Sequence, residues 1–191
     1  MASTPPGQRK LQILQALAEM LEHPKGEKIT TAALARKLDV SEAALYRHFA
    51  SKAQMFEGLI EFIESTVFGL INQIADKQAD GMAQARDILG MLLHFASSNP
   101  GMTRVLIGDA LVNEDERLQQ RMNQFYDRVE LALKQALRAA VAEGQAHEAD
   151  VAARAGMLVS FVLGRWHRYA KSGFKLNPSQ DAAVQIALLL N

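Results

Sequence analysis

The sequence predicts an all-α protein, with a small N-terminal unit of three helices followed by a larger helical body. Two observations carry this prediction. Apolar residues recur at helical spacing along most of the 191 residues. Pro, Gly, Asn and Ser cluster at the breaks between these segments. The most specific stretch is residues 30–52, where two short helical patterns flank a tight turn.

Composition narrows the class of protein. The chain has no cysteine, which excludes structural disulfides and thiol chemistry. It has no apolar run long enough to span a bilayer and no charged-then-apolar leader, so we expect a cytoplasmic protein. Nucleotide-binding glycine loops, HExxH and the nucleophile elbow are missing, and the five histidines have no metal-site spacing. The sequence therefore predicts a binding protein, not an enzyme, with neither cofactor nor metal.

The charge is unevenly distributed along the chain. Residues 1–52 carry eight Lys or Arg and five acidic residues, a net charge of +3, whereas the remainder has a net charge of −3. A basic N-terminal unit on an acidic body favours a polyanionic partner at the N-terminal end.

The predicted elements follow in chain order. Residues 1–7, with two prolines and a glycine, are expected to form a disordered leader. A first helix from Arg9 to Glu22 ends before Pro24 and Gly26. The box Ser51-x-x-Gln54 predicts the start of a long helix that runs to about residue 75. We predict further helices over residues 82–97, 102–111, 113–144, 150–170 and 181–190, with Asn113 capping the third of these and Pro178 opening the last.

Residues 30–52 have the spacing of a helix-turn-helix. Thr30 is placed to cap the first helix, Asp39-Val40 to form the turn, and Ser41 to cap a second helix that extends to Phe49. Leu45 and Phe49 would face inward. In helix-turn-helix proteins the second helix enters the major groove of DNA. An ordinary helical hairpin with a solvated basic end is the alternative.

The outer face of the second helix has side chains suited to contact with DNA. Ala43 and Ala44 are small enough for close approach to a groove wall. Tyr46, Arg47, His48 and Lys52 would place hydrogen-bond donors where phosphates lie.

The run ITTAALARKLDVSEAALYRHFASKAQMFEGLIEFIE resembles the DNA-binding end of the TetR family. Within that family it is most similar to the nucleoid occlusion factors, which share SEAALYRHF, LIEFIE and NPG-x-TR. The resemblance implies a TetR-like fold, a DNA-binding domain over residues 8–52 and a helical dimerisation and effector domain over residues 53–191. It also implies DNA contacts by Thr30, Thr31, Ser41, Ala43, Ala44, Tyr46, Arg47, His48 and Lys52. Arg47 is assigned either to a phosphate or to a guanine edge.

The resemblance further implies a homodimer that binds palindromic double-stranded DNA on the nucleoid and inhibits polymerisation of the division protein FtsZ. Phe62 and Asn99 match the family's partner-binding pattern, although periodicity alone favours a place in the core for Phe62. Leu70 and Ser98 stand where the family pattern has arginines.

Two questions stay open at this point. Ala155, Val159, Val162 and Trp166 belong either to a dimer interface or to the core of one chain. The alternative function is a ligand-responsive TetR-type repressor, which needs a polar-lined cavity in the body. His94, Arg104, Asn123 and Tyr126 are candidates for its lining.

Overall fold

A computed structural model describes residues 6–23 and 29–191, and every regular element in these two ranges is helical. Within the described residues the α-helices are α1 Pro6–Leu21, α2 Thr31–Lys37, α3 Glu42–Tyr46, α4 Lys52–Lys77, α5 Gly81–Ser98, α6 Pro100–Leu106, α7 Glu116–Ala142, α8 Glu148–Lys171 and α9 Ala182–Leu190. A short 3-10 helix, Asp109–Leu111, follows α6. Along the described residues, no helix combines the length and apolar character needed to cross a membrane.

The N-terminal prediction needs one correction. The expected leader lies outside the described residues over positions 1–5, but Pro6 and Gly7 already belong to α1. A proline is tolerated in the first turn of a helix because its missing N–H has no intrahelical partner there. The predicted helix end at Pro24 and Gly26 falls outside the described residues.

Helices α1 to α3 form a compact unit, here called the head. Ile13 and Leu17 of α1 are buried together with Leu34 of α2 and Leu45 of α3. The turn between α2 and α3 places Asp39 in the left-handed region, with φ of 53°. Asp and Asn tolerate this conformation better than other non-glycine residues. The predicted helix-turn-helix is therefore present.

Helix α4 joins the head to the body, which comprises α5 to α9. The N-cap predicted at its start is confirmed, since Ser51 Oγ accepts from Gln54 N at 3.1 Å. The reciprocal bond of a capping box is shifted by one residue, because Gln54 Oε1 accepts from Ala50 N at 2.8 Å and not from the N–H of Ser51. Seven residues of α4 are buried, from Met55 to Ile71. This helix packs against α1 in the head and against α5 and α7 in the body.

The body is built around α5, α7 and α8, with α9 packed on α5. Ala155, Val159, Val162 and Trp166 are all at most 8% exposed within one chain. The indole N–H of Trp166 donates to the Leu92 carbonyl at 3.1 Å, across to α5. These four residues are therefore core, which decides between the two alternatives that the sequence left open.

Two predicted helix starts and one predicted continuous helix differ from the structure. Helix α7 is capped by Asp115, which accepts from Arg117 N at 3.0 Å, and Asn113 instead has φ of 64° in the preceding loop. The segment predicted as one helix over residues 102–111 is divided by Gly108, which has φ of 76°. Pro178 precedes α9 instead of opening it, because Asp181 is left-handed and interrupts the helix there.

One glycine allows the body to contact the head backbone to backbone. A Cβ added at Gly101, in the first turn of α6, would lie 1.9 Å from the carbonyl oxygen of Ala18 in α1. That distance is far below van der Waals contact, so any side chain would force α6 away from α1. Gly101 therefore fixes the spacing between body and head.

We expect Gly101→Ala to lower the free energy of unfolding by about 1–3 kcal/mol, because the backbone of α1 cannot move aside cheaply. The matched control is Gly90→Ala, within α5, where an added Cβ meets nothing within 4 Å. That substitution should be neutral or should stabilise by about 0.5–1 kcal/mol. Denaturant unfolding of both variants checks the prediction, and equal stabilities would contradict it.

Candidate nucleic-acid interface and partner groove

The exposed face of α3 is short and held at its start by Ser41. Ser41 Oγ accepts from the backbone N of Ala44 at 3.2 Å, which satisfies one of the amides left unpaired at a helix start. Leu45 is 1% exposed and anchors the helix to the head. Ala43, Tyr46 and Arg47 are exposed on the opposite side. The helix thus presents small residues at its N-terminal end and donors at its C-terminal end.

Hydrogen bonds tie the start of α2 to the outer side of α3. Thr30 Oγ1 caps α2 by accepting from Ala33 N at 3.1 Å. The hydroxyl of Thr31 donates to Glu42 Oε2 at 2.6 Å, and the hydroxyl of Tyr46 lies 3.5 Å from Thr31 Oγ1. Several of the predicted site residues are therefore collected at one exposed end of the head.

Arg47 and His48 differ from the prediction in their local structure. The predicted helix to Phe49 was too long, because α3 ends at Tyr46 and Arg47 is its C-cap. The amides of His48 and Phe49 both donate to the Leu45 carbonyl, at 2.9 and 3.1 Å, which closes the last turn. Phe49 then turns into the core, where it is 8% exposed. Arg47 remains exposed and His48 half-buried.

Lys52 lies at the first turn of α4, and its side chain contacts the body. Its Nζ forms an ion pair with the carboxylate of Glu114, in the loop before α7, and lies 5.6 Å from the centre of the Phe56 ring. The side chains of Lys52 and Glu114 are 23% and 15% exposed. The sequence could not show this pair, because its members are far apart along the chain.

A groove of about 450 Å³ runs between head and body, here called the α1–α4 groove. One wall comes from α1, the floor from Leu59 and Phe62 of α4, and the other wall from Ser98, Asn99, Gly101 and Met102. Phe62 is 38% exposed there and is not part of the core. The side-chain amide of Asn99 donates to the Phe95 carbonyl at 2.7 Å, so Asn99 also shapes the junction of α5 and α6.

The interior of the body is filled where α7 meets α8. A cavity lined there by Phe125, Tyr126 and Trp166 has a volume of about 10 Å³, no more than one water molecule needs.

The polar residues that were candidates for lining a ligand cavity have other partners. Tyr126 donates to the Leu106 carbonyl, Asn123 accepts from Gln119, and Arg104 pairs with Asp109. Burial raises the pKa of Tyr126 to about 12. His94 is exposed on α5.

Comparisons with known proteins find matches for both the N-terminal and the C-terminal part of the chain. A family model described as bacterial regulatory proteins, tetR family, matches residues 13–59, and one described as tetracyclin repressor-like, C-terminal domain, of the SlmA-like type, matches residues 79–191. The nucleoid occlusion factor SlmA of Alteromonas mediterranea is 49% identical over 180 residues, covering 94% of this chain and 92% of that protein.

SlmA of Shewanella pealeana is also 49% identical, over 181 residues, with the same two coverages. The chain belongs to the TetR family, in the group of the SlmA nucleoid occlusion factors. Among solved structures, a TetR transcription regulator from Haloarcula marismortui superposes with a TM-score of 0.81 at 17% identity, covering 96% of this chain and 97% of that one. That likeness concerns the fold alone.

Sequence reasoning missed three parts of this candidate site. Glu42 orients Thr31, Glu114 holds Lys52, and α1 supplies a whole wall of the α1–α4 groove. Each depends on contacts between separate elements. The capping signals at Thr30 and Ser41, by contrast, act within one turn and were predicted.

We expect Ser41→Ala to lower the free energy of unfolding by about 1 kcal/mol, because the Ala44 amide loses its acceptor. Ser41→Asp keeps an acceptor at the same position and should restore most of that loss. Thermal or denaturant unfolding of both variants measures the effect. Equal stability of the alanine variant and the unsubstituted chain would show that the cap contributes nothing.

Proposed function

We propose that the protein is a nucleoid occlusion factor: a homodimer that binds chromosomal palindromes and, while bound, inhibits FtsZ polymerisation and Z-ring assembly over the nucleoid. It would act in the cytoplasm, associated with the nucleoid. The observation that carries the proposal is that α4 lies next to an exposed helix-turn-helix at one end and forms the floor of an open groove further along. The 49% identity to proteins named nucleoid occlusion factor SlmA supports it.

On the DNA side, α3 would enter the major groove, with Ala43 and Ala44 allowing close approach. The hydroxyls of Thr30, Thr31 and Tyr46, together with His48 and Lys52, would bind phosphates and fix the register. Ser41 would position α3 through its cap. Arg47 is exposed and long enough for either a phosphate or a guanine edge.

The two proposed domains are residues 8–52 for DNA binding and residues 53–191 for dimerisation and the effector role. Pairing of α8 and α9 with their copies would cover three exposed apolar side chains, Met157, Val184 and Leu188, which are 49%, 65% and 73% exposed. A twofold axis between two such bodies would present two heads to the two halves of a palindrome.

For the effector role, we assign the α1–α4 groove to a segment of FtsZ, with Phe62 and Asn99 as contacts. Phe62 offers an exposed aromatic surface of the kind that anchors peptides. Because Leu70 and Ser98 carry no charge, apolar contacts would supply most of the affinity. The alternative role, a ligand-responsive repressor, has less support because the interior beside Phe125 and Trp166 is filled.

We expect Lys52→Ala to weaken binding to all DNA sequences alike and to lower the salt dependence of affinity by about one phosphate contact per protomer. The matched control is Lys77→Ala, which removes an exposed lysine from the other end of α4. Gel-shift titrations at several salt concentrations measure both. A loss of preference between sites with an unchanged salt slope would disprove the phosphate assignment.

We expect Phe62→Ala to spare DNA binding but to abolish the loss of FtsZ polymers seen in a sedimentation assay with protein and DNA together. Leu131→Ala is the control, since Leu131 is 51% exposed on α7 and lies outside the groove. Undiminished inhibition by the Phe62 variant would remove the groove assignment. Release of DNA by a metabolite, with no effect on FtsZ, would instead support a ligand-responsive repressor.

A further inference from the structure

Three ion pairs join α4 to the segment from Glu114 to Arg121. Glu64 accepts two hydrogen bonds from Arg121, at 2.7 and 3.2 Å, and this pairing raises the pKa of Arg121. Glu57 lies 3.6 Å from Arg117. The third pair, between Lys52 and Glu114, is nearest to the head.

In the third pair the cation and the anion have changed sides, compared with the other two pairs. In the pairs formed by Glu57 and Glu64, α4 supplies the anion and α7 the cation. At Lys52, α4 supplies the cation, and that cation stands at the end of α4 that follows the helix-turn-helix. Of the three cations, Lys52 is the one that lies at the end of α4 next to the head, so a phosphate of DNA bound to the head would compete for this pair.

We propose that Glu114 competes with the DNA backbone for Lys52, so that a body residue holds down the DNA affinity of the head. This inference rests on the proposed DNA binding and goes beyond it. Lys52 has a single ammonium, and a phosphate brought to it would approach the Glu114 carboxylate. Glu114 must therefore either give up its partner or repel the phosphate.

The loop that holds Glu114 is suited to change its conformation when DNA binds to the head. It connects the 3-10 helix to α7, contains Asn113 in the left-handed region, and ends at the Asp115 cap. When a phosphate takes Lys52, Glu114 becomes a partly buried carboxylate without its cation, which is unfavourable. DNA occupancy of the head would thus loosen the start of α7 in the body.

The decisive variant is Glu114→Gln, which removes the charge and keeps an acceptor of the same shape. We expect it to bind DNA roughly two- to tenfold more tightly per dimer at low salt, the scale set by two partly exposed ion pairs. Weaker binding would mean that Glu114 positions Lys52 for DNA, and unchanged binding would mean that no competition exists. Either result overturns the inference.

Two controls separate competition from a general change in charge. Glu116→Gln removes an exposed acid from the first turn of α7 and should change affinity less than Glu114→Gln. In a Lys52→Ala background, Glu114→Gln should have no further effect, because the contested cation is gone. A full effect of Glu114→Gln without Lys52 would refute the competition.

A measurement on the unsubstituted protein keeps the test independent of variant folding. Hydrogen exchange at residues 113–115 should become faster when a DNA duplex is added, and unchanged or slower exchange would contradict the proposal.

Failure of the proposed function and failure of this inference give different results. If the unsubstituted protein binds no duplex, the proposed function fails and this inference with it. If it binds but Glu114→Gln has no effect, only this inference fails.

Discussion

The arrangement of the molecule depends on α4 being one unbroken helix shared by head and body. Its 26 residues span about 39 Å, with Lys52 beside the helix-turn-helix and Phe62 in the floor of the groove. Because seven of its residues are buried, α4 cannot shift without disturbing packing in both halves. We therefore expect a displacement of its first turn to disturb the packing of the body as well.

A second connection fixes the head at another point. Gly101 brings α6 against the backbone of Ala18, and Arg104 donates to the carbonyls of Leu21 and His23 at 3.4 and 3.3 Å. Arg104 also pairs with Asp109, which in turn pairs with Lys171 at the end of α8. The head is thus linked through α6 to one of the helices that we assign to the dimer interface.

Local signals in the sequence predicted most of the helices and the caps that begin α2, α3 and α4. Ser41, Ser51 and Thr30 act within one turn, so their capping roles follow from neighbouring residues alone. Asn113 and Asp115 are both suitable caps for the start of α7, and which of them caps the helix depends on how the loop packs. Core and interface positions on α8 share one apolar pattern, so Trp166 could not be assigned without the neighbouring helix α5. The Lys52–Glu114 pair and the α1 wall of the groove needed the tertiary fold.

In the proposed function, two copies of the head, held by paired bodies, recognise an inverted DNA repeat. Genome-wide footprinting with the purified protein tests it most directly. The account predicts protected inverted sequences whose half-sites are centred about 10 base pairs apart or a multiple of that distance. Protection spread evenly along the chromosome, or no protection at all, would contradict it.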